Sequence, residues 1–204
     1  MGLRLLILSW WTPKYIIRKE LANVSDQTIT SLHSILAQYA PQELSEKTKK
    51  QTNKSIGEQR AVMAKTQSEI VEAIEAKIGH EETVKLGREA LFSVGQNLGK
   101  QTRSKLGVSQ EPKDLLKAAK ILYRILGIEF HLEWLDNSNA IAIIEKCALA
   151  KQYSKTTCEV LSATDEGVIK GLQPSVTMKF KEYMTSGCKN CKADIHFNEK
   201  EFAE

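Results

Sequence analysis

No stretch of this sequence is apolar for the roughly 20 residues that a bilayer-crossing helix needs. The nearest approach is residues 3–11, and Arg4 interrupts it. That segment also lacks a small-residue cleavage site, and Pro13 follows at once, so it does not read as an export signal. A charge excess is missing too. The net charge is +4 over 204 residues, and no long basic face interleaves with aromatics, which argues against a nucleic-acid partner. The basic run EKTKKQTNK (46–54) reads as a solvated helix face or a linker. A phosphate-binding glycine loop, a dinucleotide fingerprint and a Ser-His-Asp arrangement are all absent. Cysteine is sparse, with four residues. With no export signal, a cytoplasmic location and reduced thiols are expected, and metal binding or catalysis then outranks a structural disulfide.

What is present suits one folded domain, or one domain with a helical extension, with enough chain to bury a substantial core. The first two-thirds carries helical periodicity. SDQTITSLHSILAQYA (25–40) opens on Ser25 or Asp26 as a cap and lines up Ile29, Leu32, Ile35 and Leu36. After Pro41 comes a polar, lysine-rich stretch, read as an exposed helix or a flexible arm. From about Ala61 the period returns with Ile70, Ile74 and Ile78, and Gly79 is a natural stop. The next helix (80–107) carries a Val84, Leu91, Val94, Leu98 stripe interrupted by Gly87, Gly95 and Gly99. Each helical glycine costs about 1 kcal/mol relative to alanine. Their presence predicts close approach of a neighbouring backbone or a bound molecule. EPKDLLKAAKILYRILG (111–127) is a clear amphipathic helix, with Pro112 in its first turn and Gly127 at its end.

At Ile128 the period changes from helical to two. Ile128, Phe130, Leu132 and Trp134 alternate with polar residues, a turn follows at Asp136–Asn139, and AIAIIEKC (140–147) returns as the second strand of a hairpin. CEVLSATDEGVIKGL (158–172) reads as a helix ended by Pro174. SVTMKFKEYMT and CKADIHF then alternate as a second hairpin with SGCKN at its tip. Helices followed by hairpins predict an α+β fold: N-terminal helices packed on an antiparallel sheet of two hairpins with one intervening helix.

The four cysteines, Cys147, Cys158, Cys188 and Cys191, each fall at an element boundary. Strand ends and helix starts can meet at one sheet edge, where four thiolates would hold zinc or an iron–sulfur cluster. A single CxxC is weaker evidence than two. Buried structural cysteines and a redox pair or reactive thiol are the competing readings. Cys158, at a helix start, is a candidate for a dipole-lowered thiol pKa. His33, His80, His131 and His196 read as exposed or hydrogen-bonded structural residues. Asp165, inside an apolar helix face, reads as a capping or exposed residue, with an acid–base role as its alternative.

From about Ile70 to Phe197 the residues resemble the 4-vinyl reductase (V4R) small-molecule-binding domain. That domain belongs to a superfamily with haem-NO-binding and Bet3-type transport domains. They also resemble the L-2-amino-thiazoline-4-carboxylic acid hydrolase family. The matching pieces are ALFSVGQNLGKQ, then Cys158 through Leu172 ending in Gly171-Leu172, then MTSGCKNCKADIHF with Gly187 and Cys191 in the closing pattern. Cys188 departs from that pattern, which asks for one cysteine there. The resemblance implies helices over an antiparallel sheet, a pocket between them for an apolar or aromatic small molecule, and a homodimer. Residues 1–60 would form a helical N-terminal extension and 61–204 the V4R-like ligand-binding domain. Candidate pocket residues are Leu91, Gly95, Leu98, Phe130 and Trp134. The functional expectation is small-molecule binding beside a cysteine-held metal, zinc by preference. The hydrolase relatives imply instead a metal- or thiol-dependent ring-opening hydrolase.

Overall fold

A computed structural model describes residues 3–40 and 54–198. The stretch after Pro41, with most of the basic run at 46–54, lies outside the described residues. The helices are α1 (Leu3–Trp10), α2 (Lys14–Tyr39), α3 (Ile56–Ile78), α4 (His80–Leu106), α5 (Pro112–Leu126) and α6 (Lys155–Leu172). The strands are β1 (Ile128–Trp134), β2 (Asn139–Cys147), β3 (Val176–Glu182) and β4 (Cys191–Phe197). This is the expected α+β fold. None of the described helices is long and apolar enough to cross a membrane.

Three helices begin earlier than their sequence signals suggest, α6 among them, which starts at Lys155 after Ser154 rather than at Cys158. α2 starts after Pro13, so Ser25 and Asp26 lie mid-helix rather than at a cap. The apolar period that buries Leu32 and Leu36 extends back through Ile17 and Leu21, and this burial outweighs the local preference of Ser and Asp for helix starts. α3 starts at Ile56 because Ser55 and Glu58 form a reciprocal capping box, Ser55 Oγ accepting from the Glu58 N–H at 3.2 Å.

The sheet order is β1-β2-β4-β3, with every neighbouring pair antiparallel. The two hairpins therefore join through β2 and β4. Ala140, Ala142 and Ile144 of β2, Cys191, Ala193, Ile195 and Phe197 of β4, and Val176, Met178 and Phe180 of β3 form the buried face. α5 and α6 cover it with Leu115, Ala118, Ile121, Ile169 and Leu172, and Leu5, Ile17 and Leu21 of the first two helices join the same core. A second apolar cluster ties Leu32, Ile35 and Leu36 to Ile70, Val71, Ile74, Leu91 and Val160.

The glycines of α4 have the predicted role. α4 and α6 interlock backbone to backbone. A β-carbon on Gly99 would stand 2.3 Å from the Val168 carbonyl oxygen, and one on Gly171 would stand 2.3 Å from that of Gln96. Gly95 and Gly167 likewise face backbone carbonyls, at 2.0 and 2.2 Å, whereas Gly87 faces the Val160 side chain at 2.7 Å. Arg88 of α4 crosses the seam. It donates to Glu166 Oε2 at 2.6 Å, to the Glu159 carbonyl at 2.7 Å and to Ser162 Oγ at 3.0 Å. Glu166 Oε1 in turn accepts the Phe180 N–H at 3.1 Å, so one buried carboxylate joins α4, α6 and β3. α6 is thus held in one rotation about its axis, with Cys158, Leu161, Ser162 and Asp165 bordering one interior cavity.

Candidate functional site

Three cavities adjoin one another, two between the helices and the sheet and one enclosed by α2, α4, α5 and α6 alone. The largest, about 380 Å³, runs between α5 and the sheet face and is walled by Leu115, Leu116, Phe130, Leu132, Trp134, Met178 and Phe197 among others. The second, about 60 Å³, shares Ala119, Tyr123 and Ile169 with it. The innermost, about 80 Å³, shares Val24, Tyr123, Leu126, Thr164 and Asp165 with the second. Tyr123 borders all three, its ring set edge-on to Phe130 at 4.9 Å.

The innermost cavity brings together Cys147, Cys158 and Cys191 with Asp165, Tyr123 and Tyr153. Each arrives by a different route. Cys158 lies in the first turn of α6, after Ser154, whose Oγ caps the helix by accepting the Thr157 N–H at 3.1 Å. Cys191 opens β4 on its buried face. Cys147 depends on a bulge. β1 pairs Glu129 with Lys146 but Phe130 with Ile144, skipping Glu145. One unpaired residue reverses the side-chain parity, so Cys147 faces inward although an unbroken strand would turn it outward with Ile141.

The thiols of Cys158 and Cys191 interact across this cavity, so the proton affinity of each depends on the other. Cys191 is the thiolate side. The interaction with Cys158 lowers its pKa to about 7 against the opposing effect of burial, and the Met184 N–H donates to its sulfur at 3.3 Å. Cys158 is the protonated side, its pKa pushed up first by the interaction with Cys191 and then by burial. The helix-start reading of Cys158 as the low-pKa thiol is therefore reversed. Its neighbour and its burial outweigh the helix dipole. Thr185 Oγ1 lies beside the Cys158 sulfur, a contact that leaves this buried hydroxyl without a hydrogen bond of ordinary geometry. Burial also raises the Cys147 thiol pKa, partly offset by the N–H groups of Leu149 and Ala150.

Asp165 is neither a cap nor exposed. It borders both smaller cavities, which is how a carboxyl enclosed by protein keeps some accessible surface. No hydrogen bond to its carboxyl is present among the described residues. Burial, then the charge of Glu166, raises its pKa to about 7. Thr164 Oγ1, bordering the same two cavities, is also buried without a partner. Tyr153 is fixed by its hydroxyl donating to Gln67 Oε1 at 2.5 Å, and Tyr183 by a 3.2 Å bond with Ser162 Oγ.

Cys188 sits in the turn after Gly187, its N–H donating to the Tyr183 carbonyl at 3.3 Å, and borders none of the three cavities. Among the described residues no group of three or more His, Cys, Asp or Glu side chains is arranged to hold a metal ion. Of the candidate pocket residues, Phe130 and Trp134 wall the large cavity and Leu98 the second. Leu91 lies in the outer apolar cluster, and Gly95 is pressed against Thr164. Sequence reasoning missed Tyr123, an ordinary member of the amphipathic α5 helix, and Tyr153, in the loop between β2 and α6.

The fold and this row of cavities define a class: helices over an antiparallel sheet, enclosing space lined by thiols and one unpaired acid. The chain belongs to the L-2-amino-thiazoline-4-carboxylic acid hydrolase family, whose pattern matches residues 59–195. No curated protein matches it. Among solved structures it is similar to a trafficking protein particle complex subunit 3 from Naegleria fowleri, covalently bound to palmitic acid. That likeness has a TM-score of 0.52 at 14% identity and covers 68% of this chain and 94% of that one. It is also similar to the phenol-responsive sensory domain of the transcription activator PoxR with phenol, at TM-score 0.48 and 16% identity, over 69% of this chain and 75% of that one.

Proposed function

We propose that the protein binds a small, mostly apolar molecule, its body in the large cavity and a hydrogen-donating head directed at Asp165. The observation that carries this reading is the cavity of about 380 Å³ with apolar walls from both layers. That size and lining are usual for a small-molecule site. The innermost cavity adds a polar end without a lysine or arginine in its wall. An unpaired carboxyl in such surroundings favours an N–H or basic nitrogen over an anionic group, because a buried charge is costly unless paired.

Trp134 provides the test. The chain has three tryptophans, so replacing Trp10 and Trp11 by Phe leaves Trp134, in the cavity wall, as the only reporter. Titration with benzylamine, aniline and benzoate should quench it, the amines more strongly than benzoate. Ala142→Phe, which fills the cavity, should abolish the response. Equal weak responses in both forms would overturn the proposal.

A second reading, thiol-dependent ring hydrolysis of the kind for which the family is named, is favoured by Cys158, Cys191 and Asp165 sharing one cavity. In it Cys191 would attack the ring carbon that bears the amino group, Asp165 would protonate the departing ring nitrogen as the carbon–nitrogen bond breaks, and water would then cleave the sulfur–carbon bond to free Cys191. Turnover of 2-aminothiazoline-4-carboxylate, lost in Cys191→Ser, would establish it. Zinc held by the cysteines is tested by metal analysis of the purified protein. One equivalent that falls on replacing Cys147, Cys158 or Cys191 would make these thiols ligands, and an iron–sulfur cluster would show as visible colour.

A further inference from the structure

α1 is held against the rest of the fold by one face. Leu5 is fully buried, and the Arg124 guanidinium of α5 donates to the carbonyls of Leu8 and Ser9 at 3.3 and 2.9 Å and to Thr12 Oγ1 at 3.2 Å. These are the orphan acceptors at the helix C-terminus, so a cation there both caps the helix and fixes its orientation. The opposite face is bare. Leu6, Ile7, Trp10 and Trp11 follow one another at helical spacing, and the helical turn continues to Trp11 through its N–H bond to the Ile7 carbonyl at 3.0 Å. Trp10 is 92% exposed, Trp11 68% and Ile7 54%, and Tyr15 in the first turn of α2 extends the patch at 70%.

The charge carried by the segment that bears this patch is of one sign. Residues 1–19 contain Arg4, Lys14, Arg18 and Lys19 and no Asp or Glu. Of the chain's 29 basic residues these four leave 25 against 25 acidic ones, so the whole net charge of +4 resides here. Arg4, Lys14 and Lys19 are exposed, while Arg18 is committed to the Lys54 carbonyl at 2.6 Å.

We infer that the bare face of α1, with Tyr15, docks on the surface of an anionic lipid bilayer. Tryptophan and tyrosine favour the headgroup level, where the ring is half in hydrocarbon and half hydrated. Leucine and isoleucine supply the apolar area, and lysine and arginine are attracted by anionic lipid. An 8-residue helix of about 12 Å lies on such a surface and does not span it. A second copy of the chain is a poorer occupant. A two-fold contact would set the same cationic patch against itself, and like charges across an interface oppose association.

The test uses the full chain and vesicles of phosphatidylcholine alone or mixed with phosphatidylglycerol. Binding to the mixed vesicles, with a blue shift of tryptophan emission and quenching by brominated lipid, is the expected result. Trp10→Ala with Trp11→Ala, and separately Arg4→Gln with Lys14→Gln and Lys19→Gln, should each weaken it by about tenfold or more, and added salt should weaken it further. These side chains are exposed, so thermal melts of the variants should match the parent, and the charge variant tests the proposal independently of the aromatic one. Absence of binding, or equal binding to both vesicle types, would overturn it. So would a dimer in solution that the tryptophan variant dissociates.

Discussion

A β-carbon on Gly95 would stand 2.0 Å from the carbonyl oxygen of Thr164. The obstacle is backbone, which cannot swing aside as a side chain can. Thr164 is also the residue before Asp165, so this close approach sets the depth at which the acid meets the cavities. Gly95→Val should therefore push α4 from α6 and cost about 3 kcal/mol or more, the upper range of overpacking. Gly57→Val, where a β-carbon meets only Ser55 Oγ at 4.0 Å, should cost far less. Chemical denaturation of both variants checks the contrast.

The Arg88–Glu166 pair is nearly buried, with side-chain exposures of 18% and 5%. Arg88→Met removes the charge that compensates Glu166, leaving only Lys179 at 3.9 Å. A loss of roughly 3 kcal/mol is expected, as for other buried pairs broken on one side. Adding Glu166→Gln should restore part of it, because the uncompensated charge is then gone. A double-mutant cycle by denaturation measures this; strictly additive losses would contradict it.

Asp165 predicts a pH dependence. Its pKa is about 7 in the folded protein against an ordinary value of 3.8. The folded state therefore holds the proton more tightly than the unfolded chain. The stability this confers is fully present below about pH 4 and is lost as pH rises through 7, at about 1.4 kcal/mol per unit of separation. Asp165→Asn should remove that loss. It should be more stable than the parent at pH 8 and show little difference near pH 4. Urea unfolding across this range is the measurement, and a difference independent of pH would refute the assignment.

For the thiols, ultraviolet thiolate absorbance of the parent should show a transition near pH 7 that is missing in Cys191→Ser. Cys158→Ala should move the transition upward, because it removes the interaction that lowers the Cys191 pKa and leaves burial to raise it. Cys188→Ser, outside the cavities, should leave it in place.

Much of the fold is legible in local pattern. The boundary between α5 and β1 shows as a change of period at Ile128, next to a glycine whose φ of 75° few other residues tolerate. Gly87, Gly95 and Gly99 announce a close neighbour, though they do not say that α6 is that neighbour. Less of the site can be read this way. Asp165 looks like any polar residue in a mixed helix face, because nothing in its own segment specifies what covers it. Cys147 has the parity of the outward residues until a bulge, set by its pairing with β1, turns it in. The CxxC spacing suggests a joint role for Cys188 and Cys191, yet the turn at Gly187 separates one from the cavity that the other borders.

The amino-acid order by itself determined the helices, both hairpins and the interlocking glycines, because each depends on residues a few positions apart. Which hairpin strands pair, and hence that Cys147, Cys158, Cys191 and Asp165 surround one cavity, was decided by the tertiary structure. Their acidities follow from that enclosure, since a proton's affinity for sulfur or carboxyl is set by the partners and solvent around it in space.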